Sequence, residues 1–316
     1  MSGTKVTILM PVYNTAAYLK EAVESVLAQE YNNFELLIID DGSTDDSIDI
    51  VKNISDERIQ IIHQEHLGIV AALNRGIEES HTDLIARFDA DDICLPGRLS
   101  KQVAFLENNP DYVACGGEAE YIDSEGEHLF NFYCAGYSNE SLLERLEKEC
   151  PFIHSAVMYR KEAVLKSGGY SPAAHNFEDY LLWVKMSKIG RFCNLREQLI
   201  KVRFNPTSVT IDEKWRGSAF NNLKRKIIRC GSITTAEGER LKEILDKQDH
   251  RKIKEGAYYA LCGKKFLFNN YQPRKARKHL VKAISLRPLR IDNYGLYMMS
   301  FLPASCIRWT YKTIKS

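Results

Sequence analysis

Short apolar runs alternate with segments of helical periodicity through the N-terminal third of the chain. The apolar runs lie at 6–10, 34–39, 59–62 and 84–88. Apolar positions recur at helical spacing at 17–29, 48–51 and 68–79. Strands that alternate with helices at this spacing form mostly parallel sheets with helices on both faces. The pattern therefore predicts a Rossmann-like α/β domain, and Pro11 is expected to end its first strand.

The pattern changes after the fourth run. The predicted elements are a helix at 96–108, a strand at 112–117, a hairpin across 121–133, a helix at 141–148, a strand at 152–159 and a helix opening at 177. Beyond residue 203 a polar stretch around Pro206 leads into a helical pattern. We therefore predict an α/β domain over 1–210 and an all-helical region over 211–316. Helical spacing at 276–288 is similar to half of a tetratricopeptide-type repeat, and we expect one helical hairpin that packs on the α/β domain, because a solenoid needs about three units.

Polar clusters follow three of the predicted strands, at 11–14, 40–45 and 89–92. In open α/β sheets, ligands bind beyond the carboxyl ends of the strands. Asp89 and Asp91 point the same way if the chain is extended there, and two such carboxylates with no basic neighbour between them repel unless a cation binds. Their hard oxygen ligands suit Mg²⁺ or Mn²⁺ together with substrate phosphates. The alternative is ordinary turn chemistry at the end of a strand.

The first strand–helix turn excludes two common nucleotide motifs. It contains neither a Gly-x-Gly-x-x-Gly sequence nor the lysine of a P-loop. A bound nucleotide would be held differently, with an aromatic ring such as Tyr13 and a carboxylate such as Asp41 at its base and a metal at its diphosphate.

Charge is distributed unevenly along the chain. Residues 215–316 carry 23 Lys and Arg against 7 Asp and Glu, while residues 1–214 carry 20 against 35. The basic part is expected to attract an anionic membrane surface, and the alternative is internal pairing between the two parts. The aromatic stretch 294–311 suits an interfacial helix or an ordinary buried one. Eight scattered cysteines without a Cys-x-x-Cys pair, no signal-peptide core and no stretch of membrane-spanning length favour a cytoplasmic chain.

Five motifs in order resemble a known family. They are ILMPVYN at 8–14, IIDDGSTDDS at 38–47, LNRGI at 73–77, ARFDADD at 86–92 followed by LPGRL at 95–99, and FEDYLLW at 177–183. Over residues 5–210 the chain resembles the inverting, nucleotide-sugar-dependent family-two glycosyltransferases. The resemblance implies a GT-A fold, with residues 1–210 as the catalytic domain, and transfer from a UDP-sugar to a hydroxyl of a glycan or lipid-linked glycan in surface polysaccharide synthesis.

The resemblance also implies roles for matched positions. Residues expected to contact the nucleotide-sugar are Pro11, Val12, Tyr13, Asp41, Asn74, Asp89, Ala90 and Asp91. Asp89 and Asp91 are the implied ligands of Mn²⁺ or Mg²⁺, and Asp179 is the implied catalytic base. His154, Glu178 and Asp92 are expected in the acceptor or donor pocket. For Glu178 and Asp179 the alternative is that acids simply favour the first turn of a helix.

Processive relatives carry a Q-x-x-R-W motif and membrane spans, and this sequence contains neither. A single-addition enzyme is therefore expected, and the basic charge of residues 215–316 leads us to expect it peripherally on the inner face of the membrane. Two other functions compete with it. A metal-dependent nucleotidyltransferase would also use acids and an α/β sheet, but it calls for a Gly-rich basic loop where PVYN stands. A nucleic-acid-binding module would use the basic part and leave the acidic clusters without a role, so no nucleic-acid partner is expected.

Overall fold

A computed structural model describes residues 4–206, 217–247, 250–303 and 305–308. The chain divides into two compact units. The first comprises 1–119, 132–202 and 222–242, and the second comprises 120–131, 203–221 and 243–316. The chain thus passes repeatedly from one unit to the other. The boundary expected at residue 210 lies outside the described residues, and the two-domain assignment remains a prediction.

The described residues form nine strands in one sheet. The strands are β1 (Val6–Val12), β2 (Phe34–Asp40), β3 (Ile59–His63), β4 (Leu84–Arg87), β5 (Ile93–Cys94), β6 (Tyr112–Ile122), β7 (His128–Phe132), β8 (Met158–Arg160) and β9 (Arg191–Arg203). Their order is β3-β2-β1-β4-β8-β6-β9-β5, and β7 pairs with β6. Strands β3, β2, β1 and β4 are parallel, whereas β8 pairs antiparallel with β4 and β6, and β5 pairs antiparallel with β9.

Helices connect these strands and make up the C-terminal region. They are α1 (Ala16–Leu27), α2 (Ser47–Lys52), α3 (Ile69–Glu79), α4 (Arg98–Asn108), α5 (Asn139–Arg145), α6 (Lys161–Lys166), α7 (Glu178–Met186), α8 (Ser218–Cys230), α9 (Thr235–Asp246), α10 (His250–Phe268), α11 (Pro273–Leu286) and α12 (Ile291–Met299). The predicted α/β fold with a mostly parallel N-terminal sheet and a helical C-terminal region is confirmed. No helix among the described residues is long and apolar enough to cross a membrane.

Pro11 does not end the first strand, contrary to our prediction. β1 continues to Val12, and Pro11 pairs in register with Ile39 of β2. Leu9 accepts a hydrogen bond from Phe88 on the β4 side, so the missing N–H of Pro11 points to that same side, beyond the last residue that β4 pairs. Proline is tolerated because no ladder bond is required at this position.

The strand predicted at 152–159 is also wrong over most of its length. A 3₁₀ turn covers His154–Ala156, and only Met158–Arg160 forms a strand. The turn lets the Ser155 hydroxyl accept a hydrogen bond from the Asp89 amide at 3.0 Å. The long strand β9 was not predicted at all, because its buried positions do not alternate regularly.

An apolar cluster of the first unit lies between the sheet and helices α3, α6 and α7. It includes Leu9 of β1, Leu73 of α3 and Trp183 of α7, all with no solvent-accessible surface. Helix α3 approaches β1 closely at Gly76, where an added Cβ would lie 2.1 Å from the Leu9 Cδ1 atom. Close-packed interiors do not accommodate such an atom without displacement.

Gly76→Val should therefore destabilise the first unit. Because Leu9 is fully buried and cannot swing into solvent, we expect a loss of about 1–3 kcal/mol in the free energy of unfolding from overpacking. Glu78→Val is the matched control, since Glu78 lies exposed on the same helix and meets only the helix-propensity cost of valine, roughly 0.5 kcal/mol. Urea unfolding followed by circular dichroism would measure both. Equal losses in the two variants would contradict the close approach.

In the second unit, α10 and α11 form the expected hairpin. Gly263 of α10 faces Leu280 of α11, and an added Cβ there would lie 2.7 Å from the leucine Cγ atom. The β6–β7 turn belongs to the same unit, where the Tyr258 hydroxyl lies 2.9 Å from that of Ser124 and Lys275 pairs with Glu127 at 2.5 Å. The hairpin thus packs on the β6–β7 turn rather than standing alone.

Candidate active site

The loops after β1 and β2 are tied together at the carboxyl edge of the sheet. Asn14, with a φ of 51°, accepts a hydrogen bond from the Thr44 amide at 2.8 Å, and the Asp41 amide donates to the Val12 carbonyl at 2.8 Å. Gly42 has a φ of 76°, and a Cβ atom added to it would lie 3.0 Å from the backbone nitrogen of His66. A tight, left-handed backbone at this point requires glycine.

Asp41 is almost fully buried and organises the loop that leads into α3. Its carboxylate accepts hydrogen bonds from the Leu67 and Gly68 amides, both at 2.9 Å, and from the Gln64 side chain at 2.6 Å. The His66 Nδ1 atom lies 2.9 Å from the same carboxylate. The two amide bonds satisfy donors at the N-terminus of α3, which otherwise lacks a side-chain cap.

Tyr13 presents an exposed ring at this edge. The ring stacks on His66, with centroids 3.9 Å apart and an interplanar angle of 17°. The side chains of Pro11 and Val12 are buried, so Tyr13 alone of the three offers a side chain to a nucleotide base. Sequence reasoning missed His66, and the only signal for it was its position in the loop after β3.

Arg87, at the end of β4, lies buried beside the Asp-x-Asp motif. Its guanidinium donates to the Asp89 carboxylate, and although burial opposes the charge, this carboxylate raises the pKa of Arg87 above its ordinary value. Our premise that no basic residue neighbours these acids is therefore wrong. We overlooked Arg87 because a basic residue inside an apolar run was treated as part of the strand.

A second buried arginine stabilises the end of β4 through hydrogen bonds. Arg98 of α4 donates to the Arg87 carbonyl at 2.8 Å and to the Gln102 side chain at 3.1 Å. Gln102 donates in turn to the carbonyls of Cys115 and Ala156. This network fixes the backbone from which Asp89 and Asp91 project.

Asp89 and Asp91 are both partly exposed, whereas Ala90 and Asp92 are buried. No group of three or more His, Cys, Asp or Glu side chains with metal-binding geometry occurs among the described residues. Mg²⁺ and Mn²⁺ sites often need only one or two carboxylates, with phosphates and water completing the shell. Asp89 and Asp91 are two such carboxylates, and that of Asp89 is paired with Arg87.

Tyr170 connects two other predicted site residues. Its backbone N–H and C=O bond to the Asn74 side-chain amide, both at 2.9 Å, and its hydroxyl lies 2.8 Å from His154 Nε2. These two bonds use one N–H and one oxygen lone pair of the Asn74 side-chain amide. Burial raises the pKa of Tyr170 well above its ordinary value.

Asp179 lies in the first turn of α7, next to Glu178. Its carboxylate is 2.7 Å from the Tyr180 amide, and the Cys150 thiol lies 3.8 Å from its other oxygen. Lys224 of α8 lies 5.3 Å from the Tyr180 ring and 5.8 Å from the Phe177 ring, and it marks a cation near this turn that sequence reasoning missed. Asp179 is partly exposed.

His154 should remain neutral over the physiological pH range. Burial, and then the charge of Arg87, hold the pKa of His154 well below its usual value. An unfolded histidine takes up a proton near pH 6.5, so between this pH and the lower folded pKa the unfolded chain binds more protons. The free energy of unfolding therefore falls as the pH decreases through this window, by at most about 1.4 kcal/mol per pH unit from this residue.

In His154→Asn this contribution should disappear, and the difference in unfolding free energy between pH 7 and pH 5 should shrink. The matched control is His81→Asn at an exposed position. Urea unfolding at the two pH values measures the effect. An unchanged pH dependence in His154→Asn would mean that folding does not lower the pKa of His154.

The carboxyl edge of this α/β sheet carries a tyrosine, a buried aspartate and an Asp-x-Asp sequence. Together these features indicate a glycosyltransferase of the GT-A fold. The profile of the family described as "Glycosyl transferase family 2" matches residues 7–168, and the chain belongs to this family. The family assignment decides against the nucleotidyltransferase and the nucleic-acid-binding module as alternatives.

Two curated relatives agree with this class. The putative glycosyltransferase EpsE of Bacillus subtilis strain 168 is 36% identical over 211 residues, covering 64% of this chain and 74% of EpsE. The amylovoran biosynthesis glycosyltransferase AmsE of Erwinia amylovora is 29% identical over 215 residues, covering 66% of this chain and 80% of AmsE.

Two solved structures share the fold. Residues 1–349 of S. aureus TarS in complex with UDP-GlcNAc superimpose with a TM-score of 0.59 at 15% identity, covering 98% of this chain and 92% of that TarS 1–349 chain. The mannosyltransferase PcManGT from Pyrobaculum calidifontis, in complex with GDP-Man and Mn²⁺, gives a TM-score of 0.56 at 16% identity, covering 98% and 88%. At these identities the likeness concerns the fold alone.

Proposed function

We propose that this glycosyltransferase moves a sugar from a UDP-sugar to a hydroxyl of a glycan or lipid-linked glycan, with inversion and one addition per encounter. The observation that carries the proposal is the position of Tyr170. It bonds to Asn74 and to His154, whose ring lies 6.0 Å from that of Trp183 in α7. The residue after His154, Ser155, accepts a hydrogen bond from the Asp89 amide, so these contacts link the Asp-x-Asp end of the sheet with α7. Donor-binding and base functions would thus share one side of the first unit.

Asp179 is the proposed base. A single displacement at the anomeric carbon needs a group that takes the proton of the acceptor hydroxyl as the new bond forms, and such a group contributes roughly 10²–10⁴ in rate. An ionised carboxylate that is partly exposed and oriented by the Tyr180 amide suits this task. No covalent nucleophile is needed for inversion.

Tyr13 and Asp41 are proposed to hold the base of the nucleotide, and Asp91 to hold a divalent cation with support from Asp89. When bound, Mn²⁺ or Mg²⁺ neutralises the charge that develops on the leaving diphosphate. Arg87 fixes the orientation of Asp89 and reduces its repulsion of Asp91. Mn²⁺ in the structure of PcManGT supports a divalent cation in this fold, and UDP-GlcNAc in that of TarS supports a UDP-sugar donor.

The proposed role is in surface polysaccharide synthesis at the cytoplasmic face of the membrane. The name of AmsE assigns that relative to amylovoran biosynthesis, and another relative, WbnJ of Escherichia coli, is named for O-antigen biosynthesis. All eight cysteines are free thiols, which agrees with a reducing compartment. The glycan acceptor is proposed from the names of these relatives.

The proposal is tested by donor hydrolysis. Purified protein is incubated with a panel of UDP-, GDP- and dTDP-sugars with Mn²⁺, and release of the free nucleotide is measured. We expect release from at least one UDP-sugar above the protein-free rate, and a transferred sugar of opposite anomeric configuration once an acceptor is supplied. Release only from GDP- or dTDP-sugars would reject the UDP assignment, and retained anomeric configuration would reject the single displacement.

A further inference from the structure

Helix α12 of the second unit has polar residues on its buried side and apolar residues on its exposed side. On one side, Asn293 and Ser300 are buried, with 6% and 1% of their surface exposed. The opposite side and the residues flanking it are apolar and exposed; we call this set the α12 face, and it consists of Leu289, Ile291, Tyr294, Met298, Phe301 and Leu302. A surface helix normally buries its apolar side and exposes its polar one. The reversed arrangement indicates that the α12 face is covered by something other than water.

The exposure of the α12 face is large. Leu289 is 93% exposed, Ile291 81% and Met298 68%. The spacing of three and four residues from Ile291 to Tyr294 and Met298 places these side chains in one stripe. Phe301 continues the stripe and is held by Arg277, whose guanidinium lies 4.6 Å from the ring centroid.

The chain around this stripe is strongly cationic. Residues 256–291 contain nine Lys and Arg and no Asp or Glu. Lys278 and Lys282 are exposed on α11, and Arg287 and Arg290 flank Leu289. Burial, and then the nearby charge of Arg290, lower the pKa of Arg287. The cationic composition of this segment favours an anionic partner.

We infer that the α12 face and its flanking cations dock on the anionic surface of a lipid bilayer. Shallow insertion of apolar side chains and attraction of cations to lipid headgroups are two signals that together give stable peripheral binding. A second copy of this chain fits less well, because a symmetric contact through the α12 face would bring two sets of cations together. The docking is inferred from the α12 face and its flanking cations; only its purpose, access to a lipid-linked acceptor, rests on the proposed function.

The test is sedimentation of the full-length protein with vesicles. One set contains two parts phosphatidylcholine to one part phosphatidylglycerol and the other only phosphatidylcholine, each at salt of about 0.1 M and 1 M. We expect binding to the anionic vesicles at low salt, weakened at high salt. Ile291→Ser with Met298→Ser should reduce partitioning at least about tenfold. Lys278→Gln with Lys282→Gln should reduce it on the order of twentyfold, since each cation near the surface contributes about fivefold.

Matched controls separate docking from general surface changes. Leu143→Ser with Leu165→Ser makes the same apolar change at exposed sites of the first unit, and Lys20→Gln with Lys52→Gln removes the same charge there. Both controls should bind vesicles as the wild type does. Every variant should hydrolyse a soluble nucleotide-sugar at the wild-type rate, so a failure of docking remains distinct from a failure of the proposed chemistry.

Three results would overturn the inference. The wild type does not sediment with anionic vesicles, or the α12 variant sediments as the wild type does. The third is a concentration-dependent dimer, seen by light scattering, that disappears in the α12 variant, which would assign the face to contact between copies.

Discussion

Asp179→Asn is expected to lower kcat by two or more orders of magnitude while donor affinity stays near the wild-type value. The amide keeps the size of the side chain and its place at the start of α7, but it cannot accept the acceptor proton. A general base contributes roughly 10²–10⁴ in rate, and none of this is realised when the donor merely binds. Single-turnover transfer and calorimetric titration with UDP separate the two quantities.

Glu178→Gln is the matched control for this variant. It removes a carboxylate from the same helical turn, so it tests whether the dipole of α7 alone explains the acids there. We expect a stability loss of less than about 1 kcal/mol. Because Glu178 is expected in the binding pocket, its variant should raise KM, whereas kcat should stay within a few-fold of wild type. If Asp179→Asn kept its turnover and lost stability to the same degree as Glu178→Gln, Asp179 would be a helix-terminal acid and not a base.

Asp91→Ala is expected to remove metal-dependent donor binding and, with it, at least about a hundredfold in kcat/KM, because a catalytic cation contributes several kcal/mol to the transition state. Asp89 cannot take over, since its carboxylate is paired with Arg87. Excess EDTA should have a similar effect on the wild type. Titration of UDP with and without Mn²⁺ measures the coupling, which should vanish in the variant.

Asp83→Ala is a suitable control, because Asp83 is an exposed carboxylate just before β4 and lies away from the motif in sequence. It should leave Mn²⁺ coupling and kcat/KM unchanged. Full activity of the wild type in excess EDTA, or undiminished Mn²⁺ coupling in Asp91→Ala, would remove the cation from the proposal.

The N-terminal half of the fold follows from the sequence because its signals are local. Apolar runs of strand length and helical periodicity lie in strict alternation, and the observed bounds of α1, β2 and α3 fall within about two residues of the predicted ones. The location of the polar clusters after these strands could also be predicted, since parallel strands bring their carboxyl ends to one edge of the sheet. Motif order and spacing sufficed for the family, which the match over residues 7–168 shows.

Other features depended on contacts between distant residues, and the sequence alone did not determine them. Pro11 stays within β1 because β4 ends early beside it, and His154 lies in a 3₁₀ turn because Ser155 reaches Asp89. In each case the stabilising contact is made with a residue far away in sequence or with a neighbouring strand of the sheet. Local periodicity cannot predict such a contact.

The same division applies to the C-terminal region. The sequence determined that residues 294–311 are aromatic and flanked by cations, and it left open whether a helix there is buried or exposed. Residues 309–311 lie outside the described part of the chain. For α12, only tertiary packing decided the matter, because it buries Asn293 and Ser300 and turns Ile291 and Met298 to solvent. Which side of a helix faces inward is set by the surface against which it packs, and that surface is absent from the sequence of the helix itself.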